Sequence, residues 1–146
     1  GRKTARDGGQ TAKAVAKQVE ATEAALKQRP SATGRAVAAR LKAAREAFVD
    51  VVDFVAGNSK ASPNAAYAGS VPYLMLAGNL MAGWQMARAL MVAEDELAKG
   101  IDAGFMQAKI ATARFYADHL LVKAPGLRNS IVEGADSVTA LALDAF

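Results

Sequence analysis

The sequence contains no cysteine and a single histidine. The first absence removes disulfides, thiolate catalysis and cysteine-ligated zinc or iron-sulfur centres. The second removes any two-histidine metal pair. Missing as well are a phosphate-cradling loop and a dinucleotide-binding glycine fingerprint. No nucleophile elbow surrounds Ser31, Ser59, Ser62, Ser70, Ser130 or Ser137. Aromatic residues do not interleave with the basic positions, and no zinc-finger or RNP-like signature is present, so nucleic acid is not an expected partner. Nothing nominates an independent catalyst. A chain without cysteine fits the cytoplasm best. It opens Gly1-Arg2-Lys3, with neither an initiator methionine nor a leader's apolar run, as expected of a processed product or an excised fragment.

What is there is enough for one helical domain over residues 1–146: 52% hydrophobic and 22% charged residues, with alanine supplying much of the apolar share. A chain of this size buries about two-thirds of its unfolded surface on folding. The net charge of +4 is unevenly spread, with 12 Lys/Arg against 6 Asp/Glu in residues 1–60 and 6 against 8 thereafter. The basic half is expected to be a solvated helical face, with attraction to phosphate as the alternative.

Helical periodicity dominates and strict alternation is scarce, so the fold class is all-α. Val15, Val19, Thr22 and Leu26 share one face of a first helix over residues 10–28, ended by Arg29-Pro30. Ser31 caps the next, whose stripe Val37, Leu41, Ala44, Phe48, Val51 and Val55 runs to Ala56-Gly57. Residues 57–64 concentrate turn formers and read as a linker. From Val71 to Ala93 the chain is apolar almost all round, which predicts a central helix buried on several sides, closed by Glu94-Asp95-Glu96 and Lys99-Gly100. Asn79 and Arg88 inside that stretch would be costly in lipid, so no transmembrane span is expected. Asp102 is expected to cap a fourth helix in which Phe105, Ala108, Thr112, Phe115, His119 and Val122 keep bundle spacing until Pro125-Gly126 stops it. One or two shorter helices then reach Phe146. The architecture predicted is an up-down antiparallel bundle of four main helices with a short C-terminal helical appendage.

Within this frame His119 is expected to serve packing or a surface hydrogen bond, and the Glu94-Asp95-Glu96 run to be a solvated helix end. Arg88 and Arg114 lie in strongly apolar helices and need partners. Those are a carboxylate such as Asp50, Asp53 or Asp118, a snorkelled position in water, or an anion or domain interface. Gly69, Gly78 and Gly83 predict close helix crossings, with Trp84 as a large core plug beside them. Arg88, Arg114 and Trp84 are therefore the candidate interface or anion-contact residues, and no catalytic, cofactor-binding or metal-binding residue is assigned.

Three stretches carry a family resemblance: Val71-Pro72-Tyr73-Leu74 with Ala82-Gly83-Trp84 and Ala87-Arg88; Lys109 through Tyr116 with His119-Leu120-Leu121; and Gly134 through Val138 with Asp144-Ala145-Phe146. Together with Gly1-Arg2-Lys3 and Asp7-Gly8-Gly9 they resemble the additional C-terminal domain of a bacterial acyl-CoA dehydrogenase subgroup, the 3-methylmercaptopropionyl-CoA and long-chain acyl-CoA dehydrogenase-like one. The resemblance implies a parent flavoenzyme in which FAD takes hydride from the β-carbon of an acyl-CoA while a glutamate removes the α-proton. That glutamate belongs to a tyrosine-glutamate-glycine-threonine stretch this chain lacks, and none of Glu20, Glu23, Glu46, Glu94, Glu96 or Glu133 stands in such a motif. The implied partners are the remaining dehydrogenase domains, a second subunit and the parent's acyl-CoA. The implied role is support of subunit association or of the acyl-CoA entrance. The alternative is a freestanding, phasin-like interaction protein that coats a hydrophobic surface with the alanine-rich helix from Ala12 to Leu26.

Overall fold

Ser31 turns the chain sharply after Pro30: its Oγ accepts the Gly34 N–H at 2.9 Å and starts the helix that organises everything else. The computed structural model describes residues 1–145, so the terminal Phe146 lies outside the described residues. In chain order the helices are α1 (Arg2–Arg6), α2 (Gln10–Gln28), α3 (Ala32–Asn58), α4 (Pro63–Ala68), α5 (Ser70–Ala98), α6 (Ala103–His119) and α7 (Ala124–Val132). Short 3-10 turns at Leu121–Lys123, Ala135–Thr139 and Leu143–Ala145 complete the chain, and no strand occurs among the described residues.

The long helices α2, α3, α5 and α6 form the predicted antiparallel bundle, and side-chain pairs set the directions. Lys13 meets Asp53 and Glu23 meets Arg45, so α2 and α3 run opposite ways. Phe48 and Tyr73 place their rings 6.0 Å apart across α3 and α5. Tyr116 donates to the Asn79 carbonyl at 3.3 Å across α5 and α6. Glu23 is almost fully enclosed, and Arg45 holds it bidentately at 2.7 and 3.1 Å. The paired hydrogen bonds and the opposite charge offset the cost of enclosing this side chain. The α7 segment and its flanking 3-10 turns form the appendage, anchored by buried Ile131 and by Arg128, which reaches Asp50 at 3.2 Å.

The central helix is α3, not α5. Its predicted stripe from Val37 to Val55 is entirely buried, and it touches every other α-helix. In α5 one face is buried (Tyr73, Leu76, Leu80, Ala87, Leu90), while Val71, Leu74, Met75 and Val92 stand in solvent. Gly83 fits the expected close crossing, since a Cβ there would lie 2.6 Å from Leu121 Cδ2, and Gly69 likewise faces Ile131 at 2.8 Å. Gly78 does not: nothing lies within 4 Å of the position its Cβ would take.

Two boundary expectations also change. The fourth helix ends at His119, and Pro125 sits in the first turn of α7, where its missing N–H costs nothing. Asp102 occupies the N-cap position with φ 41° and makes no side-chain cap bond. The turn into α6 is made instead by Gly100 at φ 74°. The Gly100 N–H reaches the Leu97 carbonyl at 3.0 Å and the Ile101 N–H reaches that of Glu96 at 3.0 Å, the paired closure that a left-handed glycine permits. A matching closure at Gly8-Gly9 ends α1, a helix the sequence pattern did not reveal, and Asp7 then caps α2 by accepting the Gly9 and Thr11 N–H groups at 3.0 Å.

Candidate interface

The α5–α6 hairpin has an inner and an outer face, and the large side chains of α6 are on the outer one. Ala113 and Ala117 provide its buried contacts, whereas Phe105 and Phe115 are 53% and 59% exposed. The predicted core stripe of Phe105, Ala108, Thr112, Phe115 and His119 is therefore a surface stripe. Its position around the helix follows from two contacts. Asp118 turns toward α3, where Arg40 lies 3.6 Å away, and Tyr116 turns toward α5. At about 100° per residue, the stripe falls on the arc that leads outward from the Tyr116 side.

On α5 the corresponding arc carries Val71, Leu74, Met75, Gly78, Ala82, Gln85, Ala89 and Val92. Trp84 points instead toward α2. The two stripes meet in an open cleft of about 550 Å³ lined by Gln85, Arg88, Val92, Phe105, Met106 and Lys109, among others. Residues 70–93 and 103–117, which supply this face, contain no aspartate or glutamate.

The three candidate residues divide between two places. Trp84 is half-buried rather than a core plug: its Nε1 donates to Thr22 Oγ1 at 2.8 Å, and the Arg88 guanidinium lies 5.8 Å from the ring centroid. Arg88 is exposed and bonds Gln85 Oε1 at 2.9 Å, with no carboxylate partner among the described residues. Arg114 is elsewhere, paired with Asp118 at 2.5 Å on the side facing α3. The Arg114 hydrogen bond holds the Asp118 carboxyl below its ordinary value, and Arg40 adds to the effect. His119 is exposed and stacks on Phe115 at 4.4 Å between centroids.

The acidic run is more than a solvated helix end. Arg29, just past α2, donates to Glu94 at 2.8 Å, to the Met91 carbonyl at 3.2 Å and also to Asp95. The Asp95 carboxyl is held low by that hydrogen bond, and the Arg29 guanidinium is raised. Pro30 signalled a helix end in the sequence, but no pattern could pair Arg29 with residues so distant along the chain. At the basic end, Lys13, Arg40 and Arg45 are ion-paired, whereas Arg2, Lys3, Arg6 and Lys60 line an open cleft of about 520 Å³ and make no ion pair among the described residues.

As chemistry, the arrangement offers cations, apolar surface and no reacting pair. Among the described residues no cluster of three or more His, Asp or Glu could hold a metal ion. No buried side-chain N or O atom there lacks a partner. No helix among the described residues is long and apolar enough to cross a membrane.

Comparison with known proteins adds two findings. The family described as acetyl-CoA dehydrogenase C-terminal like matches residues 10–142. The 3-methylmercaptopropionyl-CoA dehydrogenase of Ruegeria pomeroyi is 46% identical over 143 residues, covering 98% of this chain and 24% of that protein. The chain thus spans about a quarter of the length of the curated relative it matches.

Proposed function

Because the chain belongs to the acetyl-CoA dehydrogenase C-terminal-like family, we propose that it is the accessory helical part of a cytoplasmic, FAD-dependent enzyme that introduces an α,β double bond into an acyl-CoA. In that enzyme the flavin supplies hydride acceptance, and both it and the proton-abstracting glutamate belong to a region beyond this chain. The contribution of residues 1–146 is mechanical: a bundle held by Arg45–Glu23 and Arg29–Glu94, carrying an apolar outer face on α5 and α6 that supports association with the dehydrogenase region or a second subunit.

The observation that carries this reading is the family match over residues 10–142. The relative's far greater length and the exposed Phe105 and Phe115 agree with it. Large contiguous apolar patches on a soluble protein commonly mark interfaces. The test begins with the reading frame upstream of Gly1. Encoding of a dehydrogenase region with the tyrosine-glutamate-glycine-threonine stretch is expected, and deletion of residues 1–146 from the full polypeptide should impair its assembly and its acyl-CoA-dependent dye reduction. A frame with no such region would sink the proposal and favour the freestanding helical module. An unchanged oligomer and rate on deletion would leave the family standing and remove the supporting role.

A further inference from the structure

We infer that the outer face of the α5–α6 hairpin docks onto a carboxylate-bearing apolar surface in the dehydrogenase region of its own polypeptide, with Val92, Phe105 and Met106 as the apolar seat and Arg88 and Lys109 as its cationic rim. The inference rests on the accessory-domain reading and names the partner of that face.

Three observations carry it. First, six of the exposed large apolar residues, Val71, Leu74, Met75, Val92, Phe105 and Phe115, fall on one side of one hairpin, with Leu74 74% exposed, whereas Tyr67, Ile101, Val122, Val138 and Leu141 lie outside its two helices. Secondly, the middle of the face is flat. Gly78 has open space beyond its Cα, and the small side chains of Ala82, Ala89, Ala108 and Thr112 continue along the face toward the cleft.

The third observation is charge. Several other exposed cations of the bundle meet acids on their own or neighbouring helices, as with Arg114 and Asp118 or Lys99 and Glu96, while Arg2, Lys3, Arg6 and Lys60, without an ion pair among the described residues, border a cleft to which α5 and α6 contribute no residue. The face itself has Arg88 and Lys109 and no acid. Asp95 borders the cleft, but Arg29 already engages it. Lys109 lies 5.1 Å from the Phe105 ring centroid and Arg88 over Trp84, so both cations are held at the seat by aromatic rings rather than by a counter-ion. A two-fold contact between identical copies sets one patch against itself. Two acid-free faces would then supply neither cation with a carboxylate. A surface with carboxylates opposite Arg88 and Lys109 satisfies both, and desolvated interfaces favour such complementarity. The chain spans only 24% of its relative's length, and on the accessory-domain reading the corresponding remainder of the polypeptide is the region that provides that occupant.

The test uses the full polypeptide with the photo-crosslinking residue p-benzoylphenylalanine placed separately at Phe105, at Phe115 and, as a control, at the exposed Lys17 of α2. Mass spectrometry then maps the products. Cross-links from both phenylalanine positions, but not from position 17, to Asp- or Glu-containing peptides of the dehydrogenase region are expected. The Arg88→Glu, Lys109→Glu double variant should reduce the Phe105 product at least about fivefold, since it sets acids against the carboxylates of the partner surface. Cross-links to residues 1–146 of a second subunit would overturn the inference, as would none from either position, or a yield indifferent to the double variant while circular dichroism stays unchanged. A polypeptide that shows these cross-links but has no acyl-CoA dehydrogenase activity would refute the functional reading while leaving the docking face in place.

Discussion

Leu121 occupies the space that a side chain at Gly83 would need: a Cβ built on that glycine comes within 2.6 Å of Leu121 Cδ2 and 2.9 Å of its Cγ. Leu121 is itself buried, so it cannot move aside into solvent. Gly83→Ala is therefore expected to destabilise the chain by about 1–2 kcal/mol, because overpacking exceeds the gain in helix propensity. Gly78→Ala, on the same helix in open space, is expected to stabilise it by about 0.5–1 kcal/mol. Urea titration of the two variants checks both signs, and a Gly83→Ala protein as stable as the parent would mean that α5 and the Leu121 turn are not closely packed.

Replacing Trp84 by alanine is expected to cost about 2 kcal/mol, less than the 3–5 typical of a fully enclosed indole, because the ring is only half-buried and its Nε1–H is tied to Thr22 rather than sealed in the core. As the only tryptophan, it also reports on itself. Its fluorescence should be partly accessible to iodide in the folded chain, and complete protection would contradict the half-buried position.

Glu23 and Arg45 make a sharper case. Glu23→Leu alone leaves the Arg45 charge in a nearly closed site and is expected to cost about 3 kcal/mol, whereas the Glu23→Leu, Arg45→Met double variant should recover most of that loss. The double-mutant cycle measures the coupling directly. Two single variants whose costs simply add would show that the pair contributes no specific interaction.

Acid stability follows from three surface aspartates. Asp7, Asp95 and Asp118 are held below the ordinary value of 3.8, by the Thr11 hydroxyl, by Arg29 and by Arg114 respectively. A carboxyl whose folded-state value is lowered releases its proton more readily in the folded chain, so it contributes stability above its unfolded value and loses it as pH falls through the folded one. Thermal midpoints are thus expected to hold steady above pH 5 and to drop below about pH 4. Asp118→Asn, which removes the shared partner of Arg114 and Arg40, should make that drop shallower. An acid limb of unchanged slope would rule this aspartate out as a contributor.

Much of the bundle was legible because its strongest signals were local. Arg29-Pro30, Ser31 and Lys99-Gly100 mark boundaries by their own backbone preferences, and the α3 stripe is apolar on the face that is buried. The α6 stripe misled for a physical reason. Periodicity tells that Phe105, Thr112 and Phe115 share a face, but not whether that face meets this chain's own core or something outside it. Alanines at 113 and 117 do the inward packing because α6 lies close to its neighbours, and small residues give a weak sequence signal. The same limit hid the Arg29 clamp and the Arg45–Glu23 pair, since which charges meet depends on how helices cross. Arg88 stands out for its apolar surroundings, whereas nothing in the periodicity marks Lys109 as its companion, because only the hairpin brings the two together at the cleft.

The hub position of α3 bears on inheritance as much as on stability. Because this helix touches every other α-helix, a cut at any connection between long helices leaves one part without the surface it was built around. The bundle therefore has no internal seam at which half of it could be kept. A recombination event that adds it to a longer protein, or removes it, succeeds only when it transfers the unit whole, and circular permutants opened at Lys99 to Asp102 should be tolerated where truncations there are not.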